Sequence, residues 1–512
     1  MLRKAEARHD IERPTRLPIA PGMLFNSFDF IFLFLPMTLA AFAAAVRLRS
    51  SSLAVLVLLV ASYVFYGYGD HFAVLLLAGS TAFNYLVGRA IAGTVRRGQG
   101  TLGRLLLGIG ICGDLVLLAY FKYAGFLVMN LDRLTGAQWP IPVIALPVGI
   151  SFYTFTQIAF LVDTFRGVAA TLRATEYFLF VAYFPHLVAG PIIHHAQTIP
   201  QFQRMARDAW DASDVAVGLS ILTIGLFKKL VIADSVAPFA DVAFTHAAGG
   251  PVAMIDGWVG AFAYGFQIYF DFSGYSDMAV GLSLLVGVRL PLNFASPYKA
   301  TSIVEFWTRW HMSLSQFLRD YLYIPLGGNR KGQARRYVNL MATMLLGGLW
   351  HGAGWTFVIW GGLHGLYLVA NHLLRTARPV RLPRPPAWMS WLKRIAVFVA
   401  VTIAWVFFRA DSIATAFAML GGMSGIHGFG TTDAVTLSWL AACFIVVWAL
   451  PNTYQIFARF RPTLPVRPEI AGAEPRLLVW RPNVVGAVMT GVVFACCVLT
   501  INKFSPFLYF RF

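Results

Sequence analysis

The sequence predicts an all-α polytopic membrane protein with about 10 to 12 transmembrane helices, together with re-entrant or buried half-helices. Of its 512 residues, 58% are hydrophobic and only 12% are charged, whereas a soluble domain has roughly 25% charged residues. The mean hydropathy is +0.66, and one water-soluble globule of this length could not bury so much apolar surface. A soluble enzyme and a disordered protein are therefore excluded, and the excess apolar surface faces lipid.

The basic residues lie in short clusters between the apolar runs. Lysine and arginine total 41 against 23 acidic residues, a net charge of +18, which in a soluble protein would indicate nucleic-acid binding. This arrangement is instead the one that the positive-inside rule produces, so we predict that the charge marks topology and that nucleic acid is not a partner. The cysteines lie in apolar stretches and lack the spacing of metal ligands, so we interpret them as core or lipid-facing residues. They are Cys112, Cys443, Cys496 and Cys497.

The apolar runs can be compared with the roughly 20 residues that a helix needs to cross the hydrocarbon core. Several runs are too short or too polar to cross unaided. We expect these to form half-helices, because irregular backbone at membrane depth survives only where protein or a water-filled cavity covers it. The candidate spans are 28–46, 52–68, 71–91, 104–121, 143–162, 177–193, 215–234, 258–287, 337–350, 355–374, 393–408, 435–450 and 483–501.

The chain is predicted to contain one transmembrane domain, residues 23–512, after a polar extension at 1–22 that is expected to be disordered. Either Met1 or Met23 can be the start, since the apolar pattern begins at Met23. The longest polar stretches, 375–394 and 459–482, are basic and proline-rich and are predicted to be loops. Glycine is frequent, with 45 residues, and we interpret it as close helix packing.

Ionisable residues within apolar segments are costly, so each is a candidate functional residue. The densest group lies in EFWTRWHMSLSQFLRD, where Glu305 and Arg309 are four apart and can pair on one helix face. His311 and Ser315 share a face in the same way. Aromatic residues surround these polar groups, which predicts a segment buried in protein or lining a cavity: Trp307, Trp310, Tyr321 and Tyr323.

The second concentration is LLGGLWHGAGW, with His351 between Trp350 and a glycine. A lone histidine in an apolar run is ordinarily a hydrogen-bonded packing residue. Here, however, basic groups flank 337–374 on both sides, so this stretch enters the membrane and returns. A helical limb 337–350 would cover about 21 Å, two thirds of the hydrocarbon core, leaving His351 at a turn deep in the membrane.

Imidazole suits acyl transfer because its pKa near 6.5 lets it take a proton from a hydroxyl and return one to a leaving thiolate. Other nucleophile motifs are absent from the sequence, and beyond His311 and His351 themselves no feature favours a haem.

Asp271 and Asp277 are interpreted either as cavity residues or as partners of an arginine. We expect Lys228 and Lys229 to snorkel at a helix end, and His364 and His372 follow on the helix after His351.

These motifs together resemble the membrane-bound O-acyltransferase (MBOAT) family, specifically its bacterial alginate O-acetyltransferase branch. The specific elements are EFWTRWHMSLSQFLRDYLYIPLGGNRKG (305–332) and LLGGLWHGAGWTFVIWGGLHG (345–365). Further likeness runs from MLFNSFDFIFLFLP at residue 23 through YFDFSGYSDMAVGLSLLVGVRLPLNFASPY (269–298) to FSPFLYFRF (504–512). The resemblance therefore covers nearly the whole chain after Met23.

The resemblance implies a helical bundle around a central funnel, with His351 as the family's WHG histidine and His311 as its second histidine. It implies acetyl transfer from acetyl-CoA or a related thioester, without a permanently bound cofactor, across the bacterial inner membrane. The implied partners are membrane lipids, a periplasmic SGNH-type acetyltransferase and an exopolysaccharide that is alginate-like or cellulose-like. Predicted substrate- or tunnel-lining residues are Trp310, Arg309, Glu305, Ser315, Trp350 and Asp271.

Two alternatives remain open at this point. The same fold could transfer another acyl group, such as D-alanyl, to a cell-wall polymer. A transporter would also combine glycine-rich broken helices with intramembrane charges, although the sequence shows no inverted repeat.

Overall fold

The computed structural model describes residues 23–142, 144–168, 173–205, 211–376, 386–471, 478–501 and 507–508. Every regular element within these ranges is helical, which confirms the all-α prediction. The predicted polar extension, residues 1–22, lies outside the described residues, as do residues 377–385 of the predicted loop 375–394 and residues 472–477 of the predicted loop 459–482. The loop prediction is wrong for the end of 375–394, because a helix begins at Ala387.

The apolar helices confirm a multi-pass membrane protein. Within the described ranges, six helices are long and apolar enough to cross a membrane: Asp29–Arg47, His71–Arg96, Gly100–Thr135, Ala212–Gly249, Trp355–Arg375 and Ala387–Arg409. Shorter apolar helices are Ser51–Gly67, Ile413–Met423, Ala434–Trp448 and Val484–Thr500. The number of full crossings stays a prediction.

The remaining helices are more polar, more deeply buried or shorter. The longest, Met254–Leu284, has 31 residues. The others of seven residues or more are Ile150–Phe165, Ala174–Ala182, His195–Arg204, Ile303–Arg309, Met312–Leu318 and Gly332–His351. Short helical turns occupy Phe184–Leu187, Pro297–Lys299, Thr453–Ile456, Ala458–Phe460 and Pro468–Ala471, and a π-helical turn follows Met312–Leu318 at Arg319–Tyr323.

The predicted span 177–193 is wrong. The helix Ala174–Ala182 ends before Tyr183, and a short turn, Phe184–Leu187, follows it. The proline at position 185 has no N–H to donate, so it fits only the first turn of a helix, where the structure has it. The chain beyond Val188 is non-helical up to the helix His195–Arg204.

The described residues form two compact units. The first comprises the chain up to Thr38 together with Val55–Val188, and the second comprises Leu39–Ala54 with Ala189–Phe512. The prediction of a single domain remains a prediction. In the first unit, buried polar groups join membrane helices, as when the Asn84 amide donates to the Asp114 carboxyl over 2.7 Å. Such hydrogen bonds between apolar helices stabilise their packing.

The second unit is built around Met254–Leu284, which is buried along almost all of its length after Ala263. Glycines let Ala212–Phe227, the first part of the helix Ala212–Gly249, approach it closely. A Cβ atom at Gly225 would lie 2.7 Å from the carbonyl oxygen of Gly274, and one at Gly281 would lie 2.6 Å from that of Gly218. Close packing of this kind is what the glycine content predicts.

Candidate active site

His351 is the last residue of the helix Gly332–His351, and the next helix begins at Trp355. The prediction of a turn at this histidine is therefore confirmed, but the predicted limb was too short. The helix has 20 residues and covers about 30 Å, because it begins at Gly332 instead of position 337. The imidazole is buried, with 6% of its residue surface exposed.

The two helices that meet at this turn are in backbone contact. A Cβ atom at Gly348 would lie 2.3 Å from the carbonyl oxygen of Phe357, and one at Gly361 would lie 2.3 Å from that of Met344. Only glycine permits such an approach without displacing backbone. The glycine pairs in the sequence therefore fix the position of the helix end that carries His351.

The His351 ring is oriented by a hydrogen bond and by aromatic contacts. Its Nδ1 lies 2.6 Å from the carbonyl oxygen of Gly347. Because a carbonyl only accepts, Nδ1 carries the ring proton and Nε2 carries the lone pair. The rings of Trp350, Trp360 and Phe408 pack edge-on against the imidazole at 4.9, 4.9 and 5.5 Å between centroids.

His311 lies at a break between two short helices, Ile303–Arg309 and Met312–Leu318. Its backbone is left-handed, with φ of 42°, a conformation that costs a residue with a Cβ atom about 1 kcal/mol or more. Two backbone hydrogen bonds hold the break, from Met312 N–H to the Asn293 carbonyl and from Ala295 N–H to the Arg309 carbonyl, both 2.9 Å long. The expected shared helix face of His311 and Ser315 is therefore wrong.

The Asn293 side chain orients the His311 ring. Its Oδ1 accepts from the Ser313 hydroxyl over 3.0 Å and faces the Ser313 backbone N–H at 3.4 Å, which fixes the amide orientation because a backbone N–H only donates. His311 Nδ1, 3.1 Å away, therefore donates to the same oxygen. The amide nitrogen of Asn293 donates to the Ser276 hydroxyl on the helix Met254–Leu284 over 3.2 Å.

Both histidines line one cavity of about 20 Å³, enough for roughly one water molecule. Of the other predicted residues, Trp310 and Asp271 also line it. Four of the predicted side chains, from three separate stretches of chain, thus line one cavity. Within the described residues, the lining is Ile268, Asp271, Phe272, Trp310, His311, His351, Trp405, Phe408 and Leu508.

Asp271 is part of a buried ionic network. Its carboxylate accepts from Lys229 Nζ over 2.7 Å and from the Leu508 backbone N–H over 3.0 Å. Lys229 also contacts Asp234 at 2.9 Å, while Lys228 pairs with Asp277 at 2.6 Å. The snorkelling prediction for the two lysines is therefore wrong: they lie in the middle of the helical stretch Ala212–Gly249 and not at its end, and carboxylates stabilise their ammonium groups.

The other predicted site residues do not line the cavity. Arg309 contacts Glu305 at 3.0 Å, which confirms that pair, and also donates to the Ala295 carbonyl over 3.0 Å. The Ser315 hydroxyl donates to the Trp310 carbonyl over 3.3 Å. These three side chains brace the backbone around the His311 break, and Trp350 supports His351 by ring contact.

Asn293, Trp405 and Phe408 were not predicted from the sequence, because a neutral amide or an aromatic ring in an apolar run does not have the cost that makes a buried charge conspicuous. Asn293 does lie in LNFASPY, within one of the stretches that resemble the family, and the amide in that motif is the signal that points to it. Within the described residues, no group of three or more His, Cys, Asp or Glu side chains could hold a metal ion.

The fold and the cavity together define an all-α membrane enzyme with buried imidazoles, a suitable arrangement for acyl transfer to a hydroxyl. Comparison with known proteins makes this specific. The model of the membrane-bound O-acyltransferase family matches residues 151–410, a range that contains both histidines. This chain belongs to that family, and it is a multi-pass membrane O-acyltransferase.

Curated relatives extend the similarity beyond the matched range. A probable alginate O-acetylase, AlgI, from Azotobacter vinelandii is 39% identical, covering 89% of this chain and 94% of the relative. A peptidoglycan O-acetyltransferase from Helicobacter pylori is 40% identical, covering 72% of this chain and 73% of the relative. A teichoic acid D-alanyltransferase from Streptococcus thermophilus is 27% identical, covering 49% of this chain and 65% of the relative.

Proposed function

We propose that this enzyme transfers an acetyl group from a cytoplasmic thioester, acetyl-CoA or a related donor, across the bacterial inner membrane for O-acetylation of an exported polysaccharide. The observation that carries the proposal is that His311 and His351 line the same cavity, whose lining side chains are buried. The acetyl group and the polysaccharide class are supported by the names of the relatives that cover most of the chain. We further propose a periplasmic SGNH-type acetyltransferase as a partner.

His351 is the general base in this proposal. Its Nε2 takes the proton of the acceptor hydroxyl as the hydroxyl oxygen attacks the thioester carbonyl carbon. The tetrahedral intermediate collapses with cleavage of the C–S bond, and the leaving thiolate takes the proton back from His351. The bond from Nδ1 to the Gly347 carbonyl keeps Nε2 as the accepting nitrogen throughout.

His311 positions the acceptor molecule. Two roles are open to a second histidine here, positioning or polarising either the acyl carbonyl or the acceptor. Because Nδ1 donates to Asn293, the neutral ring has its lone pair on Nε2 and cannot donate to a carbonyl. It can accept from a hydroxyl of the acceptor other than the attacking one, whose single proton goes to His351. The buried, largely aromatic lining of the cavity limits the access of bulk water, and with it competing hydrolysis of the thioester.

The decisive test is the His351→Ala variant in membranes supplied with radiolabelled acetyl-CoA and the polymer. Loss of the general base should lower acetyl transfer by about 100- to 10,000-fold, with expression and melting profile kept. His372→Ala is the matched control, since His372 lies on the next helix against Arg336 at 2.8 Å and should retain wild-type transfer. Normal polymer acetylation by His351→Ala would disprove the mechanism.

A second candidate is transfer of another acyl group, such as D-alanyl from a carrier protein, supported by the more distant D-alanyltransferase relative. Mass analysis of the surface polymer from wild-type and deletion strains distinguishes the two: acetyl adds 42 Da per ester and D-alanyl adds about 71 Da. Membership in an acyltransferase family favours both candidates over the transporter alternative.

A further inference from the structure

A third histidine, His364, lies next to the candidate active site without lining its cavity. It belongs to the helix Trp355–Thr376 and is fully buried, with 0% of its surface exposed. We propose that His364 is a positioning residue for acyl transfer. Through Trp307 it contacts the segment before His311, and through Trp360 it contacts the helix end that carries His351. The proposal rests on the proposed function.

The link toward His311 is a hydrogen bond. The indole Nε1 of Trp307 donates to His364 Nδ1 over 3.3 Å, and the two rings meet edge-on, 5.0 Å between centroids. Trp307 belongs to the helix Ile303–Arg309, which ends directly before the break at His311. The next ring on this helix, Phe306, stacks on His364 with only 9° between the planes.

The link toward His351 is an aromatic ring shared by two histidines. Trp360 packs edge-on against His351 and against His364, each at 4.9 Å between centroids. Trp360 also stacks on Trp405 at 5.7 Å, and Trp405 lines the cavity. A displacement of His364 would therefore move rings that touch both the base and the cavity wall, because close-packed interiors transmit such shifts.

The hydrogen-bond chemistry fixes the His364 tautomer. An indole N–H only donates, so Nδ1 accepts and the ring proton lies on Nε2. Within the described residues, this buried Nε2 has no hydrogen-bond partner, and an unpaired buried donor is unfavourable for folding. An aliphatic side chain would fill the same space without that cost, so the value of histidine at 364 lies in the acceptor that it presents to Trp307.

The test compares two substitutions at this position in the full-length protein. His364→Leu keeps the volume but lacks an acceptor, and it should lower kcat for acetyl transfer by about 10- to 100-fold with little change in KM, as misplacement of catalytic groups does. His364→Asn places an amide oxygen near the position of Nδ1 and should restore kcat to within about threefold of wild type. His372→Leu, on the same helix, is the matched control.

Trp307→Phe removes the same bond from the other side. If the bond acts as proposed, Trp307→Phe should lower activity as much as His364→Leu does. The double variant should lose no more activity than either single variant, because the effects of mutations in one network are not additive. Equal defects in His364→Asn and His364→Leu, or additive losses in the double variant, would overturn the positioning role.

A spectroscopic readout separates this proposal from the proposed function. In wild-type protein with ¹⁵N-labelled histidine, His364 should show an unprotonated, hydrogen-bonded Nδ1, and the Nδ1 resonance should shift in Trp307→Phe. A protonated Nδ1 in the wild type would overturn the link whatever acyl group is transferred. Absence of acetyl transfer by the wild type, with the expected spectrum, would instead contradict only the acetyl assignment, and kinetics would then use the acyl group found on the polymer.

Discussion

The surroundings of His351 and His311 differ in kind, although both side chains line one cavity. Three aromatic rings and a backbone carbonyl hold His351, at the end of a helix whose position is set by glycine contacts. Side-chain hydrogen bonds through Asn293 hold His311, at a break between helices. The His351 side should therefore be sensitive to added volume, and the His311 side to the loss of a polar group.

The largest effect is expected from adding volume on the His351 side. A methyl group at Gly348 would lie 2.3 Å from a backbone carbonyl that cannot move aside. Gly348→Ala should separate the two helices, destabilise the protein by about 1–3 kcal/mol and lower acyl transfer by about 100-fold. Thermal unfolding in detergent and transfer of labelled acetyl measure the two effects.

Gly362→Ala is the control for this prediction. A Cβ atom there would meet only a leucine methyl of Leu345 at 3.5 Å, an ordinary contact. Transfer and stability should stay close to wild type. If both alanine variants behaved alike, the close helix approach would not be what positions His351.

An intermediate effect is expected from removing the polar anchor on the His311 side. Asn293→Leu leaves His311 Nδ1 and the Ser313 hydroxyl without their shared acceptor, which costs about 1–3 kcal/mol of folding free energy. Transfer should fall by about tenfold as the imidazole loses its orientation. Ser276→Ala, which removes only the acceptor of the Asn293 amide nitrogen, should have a smaller effect; the reverse order would contradict the assigned network.

The smallest effect is expected at Glu305, outside the cavity. Its pair with Arg309 is partly exposed, 30% and 20% for the two side chains, and such pairs contribute about 0.2–1 kcal/mol. Arg309 donates to one carboxylate oxygen of Glu305 and Thr301 to the other, so Glu305→Gln keeps an acceptor for only one of them. Water can replace the lost acceptor at this partly exposed position, so stability should change by about 1 kcal/mol or less and transfer by less than about twofold. Loss of acyl transfer in this variant would contradict this prediction and show that Glu305 takes part in the reaction.

Much of the fold could be predicted because lipid-facing helices need long apolar runs, which are visible in the sequence. The helices Ser51–Gly67, Met254–Leu284 and Trp355–Thr376 lie within a few residues of the predicted spans. The failures occurred where the chain bends for local reasons. The break at Tyr183 and the break at His311 both lie in stretches whose apolar or helical pattern continues across them, so periodicity alone could not locate them.

For the candidate site, several of the side chains could be predicted from the sequence, but the contacts between them could not. His311, His351, Trp310 and Asp271 could be named because buried polar groups are costly and therefore conspicuous. What joins them depends on contacts between distant parts of the chain, such as Lys229 with Asp271, 42 positions apart in sequence. No spacing rule relates such residues, so their partners had to come from the structure.

The left-handed backbone of His311 implies a conflict between durability and activity. A glycine at this position would adopt φ of 42° without steric cost, whereas histidine is kept there at the expense of folding free energy. Selection of variants for heat resistance alone would thus tend to discard the imidazole. Any effort to engineer a more robust form of this enzyme should hold position 311 fixed and seek its gains elsewhere in the chain.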